Sequence, residues 1–593
     1  MTSDQTLTKE LIDHLKDAEP EMGGEHPVGL DKWVFGSAAV VVVAFLVWGI
    51  ADSDGLGAVA SRALDLVITG FGWLFVIAVT VFVCFVLVVA FSRFGRIPLG
   101  RDDETPQYTT WSWVSMMFAA GMGIGLMFYG VAEPLYFYIS PPPETVAPES
   151  AAAVGVALGT AMFHWTLYPW AMYAIVGLGM AYGTYRLGRS QLFSSMFAGL
   201  FGQRAVAGVG GRLINILAII ATLFGSACSL GLGALQIGGG LVQGGVTSQL
   251  SSVLLIGIIA VLTAAFVASA VSGIERGIQW LSNINMVLAV VLAVVVFIAG
   301  PTLLVLNIIP TALGSFVSDL PQMALRTAAS GDEAMRDWMS SWTIFYWAWW
   351  VSWCPFVGLF IGRISRGRTI RQFVTGVLLV PSIVSVLWFA IFGGGAIGVV
   401  QRARAAGRAA PMIEQGSDGT MSVNFDTVLF EYLDALQMPG WLTIALVGLC
   451  VVLVAIFFVT GADSASIVMA GLAQNGAEEP ARWNVVFWGT ATGAVAAIML
   501  LAGGDQPAAA LTGLRNITIV SALPFVIVML LLCVSIWRDL SKDPLMLQGR
   551  LARAVLEQTV ASAIERHDGE PFELTTETPA AHHEASESAT ASR

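Results

Sequence analysis

The sequence predicts an all-α membrane protein with twelve transmembrane helices, and three observations carry that prediction. Of the 593 residues, 56% are hydrophobic and 12% charged, with a mean hydropathy of +0.75, far too apolar for a soluble chain of this length. The apolar residues are gathered into runs that reach the ~20 residues a membrane-crossing helix needs. Charge is pushed to the ends. Residues 1–32 hold eight acidic and three basic side chains and residues 539–593 hold ten and five, so the tails carry −5 and −5 of the net −12. The middle is nearly neutral, and no nucleic-acid partner is expected.

In chain order the candidate spans lie near 33–51, 68–92, 111–138, 151–182, 212–243, 252–272, 283–309, 337–362, 373–395, 440–472, 483–503 and 514–537, numbered here spans 1 to 12. An even number puts both termini on one side. Arginines choose that side as cytoplasmic: Arg93, Arg96 and Arg101 follow span 2, Arg186, Arg189, Arg204 and Arg212 separate spans 4 and 5, Arg276 follows span 6, and Arg363, Arg366, Arg368 and Arg371 follow span 8. Arg402, Arg404 and Arg408 after span 9 depart from the rule, but long loops translocate largely regardless of charge. The expected organisation is a cytoplasmic tail (1–32, with no signal peptide), two helices (33–110), further spans to 309, an amphipathic interfacial helix (310–336) too polar to span, the remaining spans to 538, and a cytoplasmic helix and acidic tail (539–593). The five cysteines sit in apolar runs and read as small core residues.

Span 3 contains FAAGMGIGLMFYG, with Gly121, Gly123 and Gly125 at alternate positions. Close helix packing uses a spacing of four, which leaves Gly123 surplus. An unwound segment uses all three, offering backbone N–H and C=O groups to a polar ligand at mid-membrane. Glu133, further along, is placed near the interface. Span 4 has MFHWTLYPWAMY, with Trp165, Trp170 and Tyr173 around an expected break at Pro169. His164 reads as hydrogen-bonded structure rather than as a proton carrier. In span 5, Thr222 and Ser226 are one turn apart with both hydroxyls on one face. Span 10 buries Asp463 in an apolar run, where an acid is functional by default.

Span 8 is the richest stretch. Within WTIFYWAWWVSWCPF, residues 342–356, Trp342, Tyr346, Trp349, Trp350 and Trp353 share an arc of roughly 100° on a helix, and Trp347 lies off it. A membrane-interface belt is one reading, but a belt puts one or two Trp at a helix end. This face runs for about three turns. The alternative is a box of π-faces for a cation that donates no hydrogen bonds, a quaternary ammonium.

Together, GMGIGLMFYG, MFHWTLYPWAMYAIVGL, ACSLGLGALQIG, SWTIFYWAWWVSWCPFVGLF and ADSAS make the chain resemble the betaine/carnitine/choline transporters over about residues 30–540, nearest to their sodium-coupled glycine betaine members. The resemblance implies a leucine-transporter-like core in which spans 3–7 (111–309) and 8–12 (337–538) are inverted five-helix repeats, with spans 1 and 2 in front. It implies an aromatic box of Trp165, Trp170, Tyr173 and Trp350, with Trp349 and Trp353 along the path and Met122 among the glycines. It also implies two sodium sites, one at Ala119, Met122, Phe457 and Thr460, the other at Thr222, Ser226 and Phe356. Gly461 stands where compared members have Ser, which removes a hydroxyl from the first. The segment before span 8 implies a homotrimer.

The implied function is import of glycine betaine or a related quaternary ammonium zwitterion by sodium symport for osmoprotection, with Na⁺ as coupling ion and no cofactor. Proton-coupled or exchange transport of choline, carnitine or ectoine is the alternative. No acid lies in the glycine segment, which favours a zwitterion over choline. An enzyme is not expected: His164 is the only membrane histidine, and HExxH and GxSxG strings are absent.

Overall fold

A computed structural model describes residues 29–121, 123–272, 275–416, 419–502 and 507–566. The chain is almost wholly helical; the one sheet among the described residues is a two-residue antiparallel ladder, Glu414–Gln415 on Met421–Ser422. Eleven helices among the described residues are long and apolar enough to cross a membrane. Ten are spans 1, 2, 4–6 and 8–12, and the eleventh is Thr302–Leu325. Spans 3 and 7 contribute the shorter apolar helices Ile124–Ile139 and Asn283–Ala299. Helix starts follow local chemistry. The Asp31 carboxylate accepts from the N–H groups of Trp33 and Val34 to open span 1, and a Thr369–Gln372 capping box opens span 9.

The helix Thr302–Leu325 takes in most of the segment expected as an interfacial helix. It starts before residue 310, and its length and composition suffice to cross a membrane. The apolar Leu303, Leu304 and Leu306, counted with span 7, belong to this helix instead, because span 7 stops at Ala299. One face packs on span 4, where the bare backbone of Gly159 lets Phe316 approach: a Cβ there would lie 3.2 Å from the Phe316 nitrogen. Leu303, Val317 and Leu325 point outward and are exposed. A smaller correction concerns Cys84, which is exposed, whereas the other four cysteines are buried.

The two sets of five spans pack reciprocally. Span 4 meets span 9, span 5 meets span 10, and span 6 meets span 11. Span 4 packs on span 8 as span 9 packs on span 3, and span 5 packs on span 12 as span 10 packs on span 7. A pseudo-twofold relation between spans 3–7 and 8–12 requires this pattern. One face of the bundle gathers the segment before span 1 and the loops after spans 2, 4, 8 and 10. There Arg212 pairs with Asp31 at 2.9 Å, Leu99 N–H donates to Arg368 O at 2.8 Å, and Gln191 donates to Glu478 at 2.7 Å. On the opposite, far side, Arg404 after span 9 pairs with Glu149 after span 3 at 3.0 Å. The helix Pro544–Arg566 belongs to a separate compact unit that begins at Lys542.

Candidate functional site

Span 3 is broken where the glycines predict. Helix Thr110–Gly121 stops, Gly123 is extended at φ −159° and ψ 179°, and Ile124–Ile139 resumes with no side-chain cap. The first-turn N–H groups of the second helix therefore have no intrahelical acceptors, and the helix dipole adds partial positive charge there. Met122 and the side chain of Ala119 lie outside the described residues.

The break in span 4 falls at Thr166 (φ −110°, ψ −111°), not at Pro169 as the sequence suggests. Pro169 is the third residue of helix Leu167–Ala181, in the first turn, where a missing N–H costs nothing. Span 8 passes through a π-helical turn, Ser340–Ile344, into helix Phe345–Arg363. Its Trp342, Trp349 and Trp350 are buried, so this face is no interface belt. Trp347 points elsewhere and stacks on Tyr168 at 5.2 Å.

These elements converge on one pocket lined by Gly123, Gly125, Leu126, Trp165, Pro169, Trp170, Tyr173, Trp349, Trp350, Trp353 and Ser385. Among the described lining residues none is charged. Trp349 and Trp350 stack at 4.7 Å and 15°, and Trp165 stands edge-on to Trp350 at 4.8 Å and 76°. Trp170 and Tyr173 form a second T-shaped pair at 5.3 Å. Gly125 must be glycine: a Cβ would lie 2.6 Å from Trp165 and 2.9 Å from Trp349 ring atoms. The Tyr173 hydroxyl is buried without a hydrogen-bond partner. Gly121 ends the first half-helix.

Sequence reasoning set Glu133 aside as interfacial, yet it is fully buried. It is the hub of the box wall. Its carboxylate accepts from Trp165 Nε1 at 2.7 Å and from the Tyr346 hydroxyl at 2.5 Å, and lies 2.8 Å from His164 Nδ1. The other ring nitrogen of His164 is 3.1 Å from the Thr343 hydroxyl, and Trp350 Nε1 donates to the His164 carbonyl at 3.0 Å. One carboxylate thus fixes Trp165 directly and reaches Trp350 through His164. The available signal was an acid flanked by aromatics in an apolar run.

The hydroxyls of Thr222 and Ser226 are buried and make no hydrogen bond. Ser and Thr in helices commonly bond a carbonyl one turn back, as Ser229 does to Gly225 at 3.2 Å. Trp353 Nε1 also reaches that Gly225 carbonyl at 3.3 Å, which ties the hydroxyl pair to the pocket wall, and Phe356 packs on Trp353 at 5.1 Å. Span 10 differs. The Thr460 hydroxyl is spent on its own helix, bonding Ile456 O at 2.9 Å and Phe457 O at 3.3 Å, and a Cβ on Gly461 would meet nothing within 4 Å. Asp463 is buried away from the pocket; Ser269 donates to one carboxylate oxygen at 3.1 Å and the other has no partner.

Residues 33–545 match the betaine/carnitine/choline family transporter (BCCT) over nearly the whole chain. The chain belongs to this family. It is 42% identical over 549 residues to the betaine/ectoine transporter LcoP of Corynebacterium glutamicum, covering 93% of this chain and 84% of that one. It is 41% identical over 514 residues to the glycine betaine transporter OpuD of Bacillus subtilis, covering 86% and 94%. Against glycine betaine transporter 1 of Vibrio parahaemolyticus it is 40% identical over 530 residues, covering 86% and 96%. This BCCT protein is a multi-pass membrane transporter and not an enzyme.

Proposed function

We propose that this transporter imports glycine betaine, or a related quaternary ammonium zwitterion, by sodium symport. The carrying observation is the pocket in which six aromatic side chains of spans 4 and 8, with no charged group among the described lining residues, meet the broken end of span 3. Trimethylammonium cannot donate hydrogen bonds, so π-faces are its natural partners in a dry site. The carboxylate of the same molecule suits the free N–H groups at the start of Ile124–Ile139. Choline would bring a net charge with no opposite charge among the described lining residues. The similarity to the betaine/ectoine transporter LcoP and the glycine betaine transporter OpuD supports a betaine as cargo. Accumulating a net-neutral zwitterion fits osmoprotection. Titrating the purified protein with glycine betaine and with choline, followed by indole fluorescence, tests this reading: betaine should saturate the signal at far lower concentration, and a preference for choline would refute it.

Sodium is assigned to Thr222 and Ser226, with Phe356 nearby, because hard cations take oxygen ligands and these two buried hydroxyls are uncommitted. Ser226→Ala should raise the sodium concentration for half-maximal uptake about tenfold or more, since a hydroxyl facing a charge contributes about 1.5–3 kcal/mol. Unchanged sodium dependence in Ser226→Ala would remove the site. The set around Phe457, Thr460 and Gly461 is poorer in free oxygens, which favours a second reading of proton-coupled or exchange transport.

The arginine-rich loops after spans 2, 4 and 8 support a cytoplasmic position for both termini. A homotrimer is proposed through the exposed apolar face of Thr302–Leu325. The mass of the detergent-solubilised protein checks it: three protomers are expected, and a monomer alone would contradict it.

A further inference from the structure

Span 12 carries a cation that none of these roles uses. Arg515 lies near the far-side end of helix Pro507–Ser541, whose other end is fixed by Arg189 donating to Asp539 at 2.6 and 3.1 Å. Its guanidinium carbon sits 5.0 Å from the Phe345 ring centroid and 5.3 Å from that of Trp342, and Nη2 donates to the Tyr129 hydroxyl at 3.3 Å. Nε is buried and has no hydrogen-bond partner. Among the described residues no carboxylate lies within ion-pair distance of it. Glu133, in the neighbouring cluster, is already held by Trp165, Tyr346 and His164.

A guanidinium is permanently charged, and an unpaired charge within a span is costly and marks function. The aromatic faces offset part of that cost and leave the Nε donor unanswered. Position supplies the role. Phe345 stacks on Trp349 at 5.5 Å, and the Tyr129 ring is 5.9 Å from Trp165 and 6.1 Å from Trp349. Arg515 therefore stands one layer of rings beyond the box, on the far side.

Resting on the substrate reading above, we propose that Arg515 is a carboxylate-binding residue at the far-side mouth of the box that sets specificity for zwitterions. A betaine arriving from that side offers its carboxylate to the guanidinium while its trimethylammonium turns to the rings of Tyr129, Trp342 and Phe345. Choline offers only a second positive charge, which the guanidinium repels.

The test is uptake of labelled glycine betaine into proteoliposomes, with unlabelled choline as competitor, for the wild type, Arg515→Met and Arg515→Lys. Arg515→Met keeps a long side chain and removes the charge. It should raise the KM for betaine about tenfold, leave the maximal rate within a few-fold, and make choline a markedly better competitor. Arg515→Lys restores the charge without the planar fork, and should keep choline excluded with a smaller rise in KM. A purely structural arginine predicts the opposite: Lys failing like Met, or a fall in maximal rate with the betaine-to-choline ratio unchanged. Either result would overturn the inference, and if Arg515→Met does not fold, Arg515→Lys decides between them. A wild type that takes up choline but no betaine would overturn both this inference and the function proposed above. Unchanged discrimination in a betaine-transporting Arg515→Met protein would overturn this inference alone.

Discussion

Glu133→Ala is expected to abolish transport and to destabilise the protein by roughly 3 kcal/mol or more. The substitution leaves Trp165 Nε1, the Tyr346 hydroxyl and His164 Nδ1 without their shared acceptor in the dry interior, and each such orphan costs about 1–3 kcal/mol. Glu133→Gln keeps the volume and one acceptor oxygen, so it should fall between wild type and Ala in both stability and betaine affinity. Thermal unfolding of the purified variants, paired with betaine titration, reads both quantities. Wild-type stability and affinity in Glu133→Ala would show that the carboxylate does not hold the box.

The second large effect is expected at Trp350. Leucine keeps an apolar side chain but removes the π-face that stacks on Trp349, together with the bond to the His164 carbonyl. Betaine affinity should fall tenfold or more, the equivalent of about 1.5–2 kcal/mol for a desolvated cation–π contact. Trp347→Leu is the informative partner. Trp347 is fully buried against Tyr168 and Phe163 but outside the pocket lining, so its loss should lower stability through packing and leave affinity intact. Equal losses of affinity in the two variants would contradict the box.

The legible parts of the site are those that local periodicity controls. Trp349, Trp350 and Trp353 follow the helical repeat, so their common face and the exclusion of Trp347 could be read from spacing alone. The span 3 break was legible because three alternating glycines weaken a helix locally. Span 4 misled because Pro169 announces a helix start as readily as a break; Thr166, the true break, carries no comparable signal. Glu133 misled for a tertiary reason. Nearness to the end of a span suggests water, yet the whole second half of span 3 is packed inside the bundle. Arg515 was invisible because its partners Tyr129, Trp342 and Phe345 come from spans 3 and 8, far away in the chain, and only the fold brings them together. The same holds for Thr222 and Ser226: their spacing was evident, but that neither hydroxyl is spent on its own helix is a fact of packing.

The most direct test of the account is uptake of labelled glycine betaine by the purified full-length protein in proteoliposomes under imposed gradients. An inward sodium gradient, with pH equal on both sides, should drive accumulation, and a proton gradient in sodium-free buffer should not. Uptake that ignores sodium and follows protons, or choline uptake that betaine barely inhibits, would contradict sodium-coupled betaine transport.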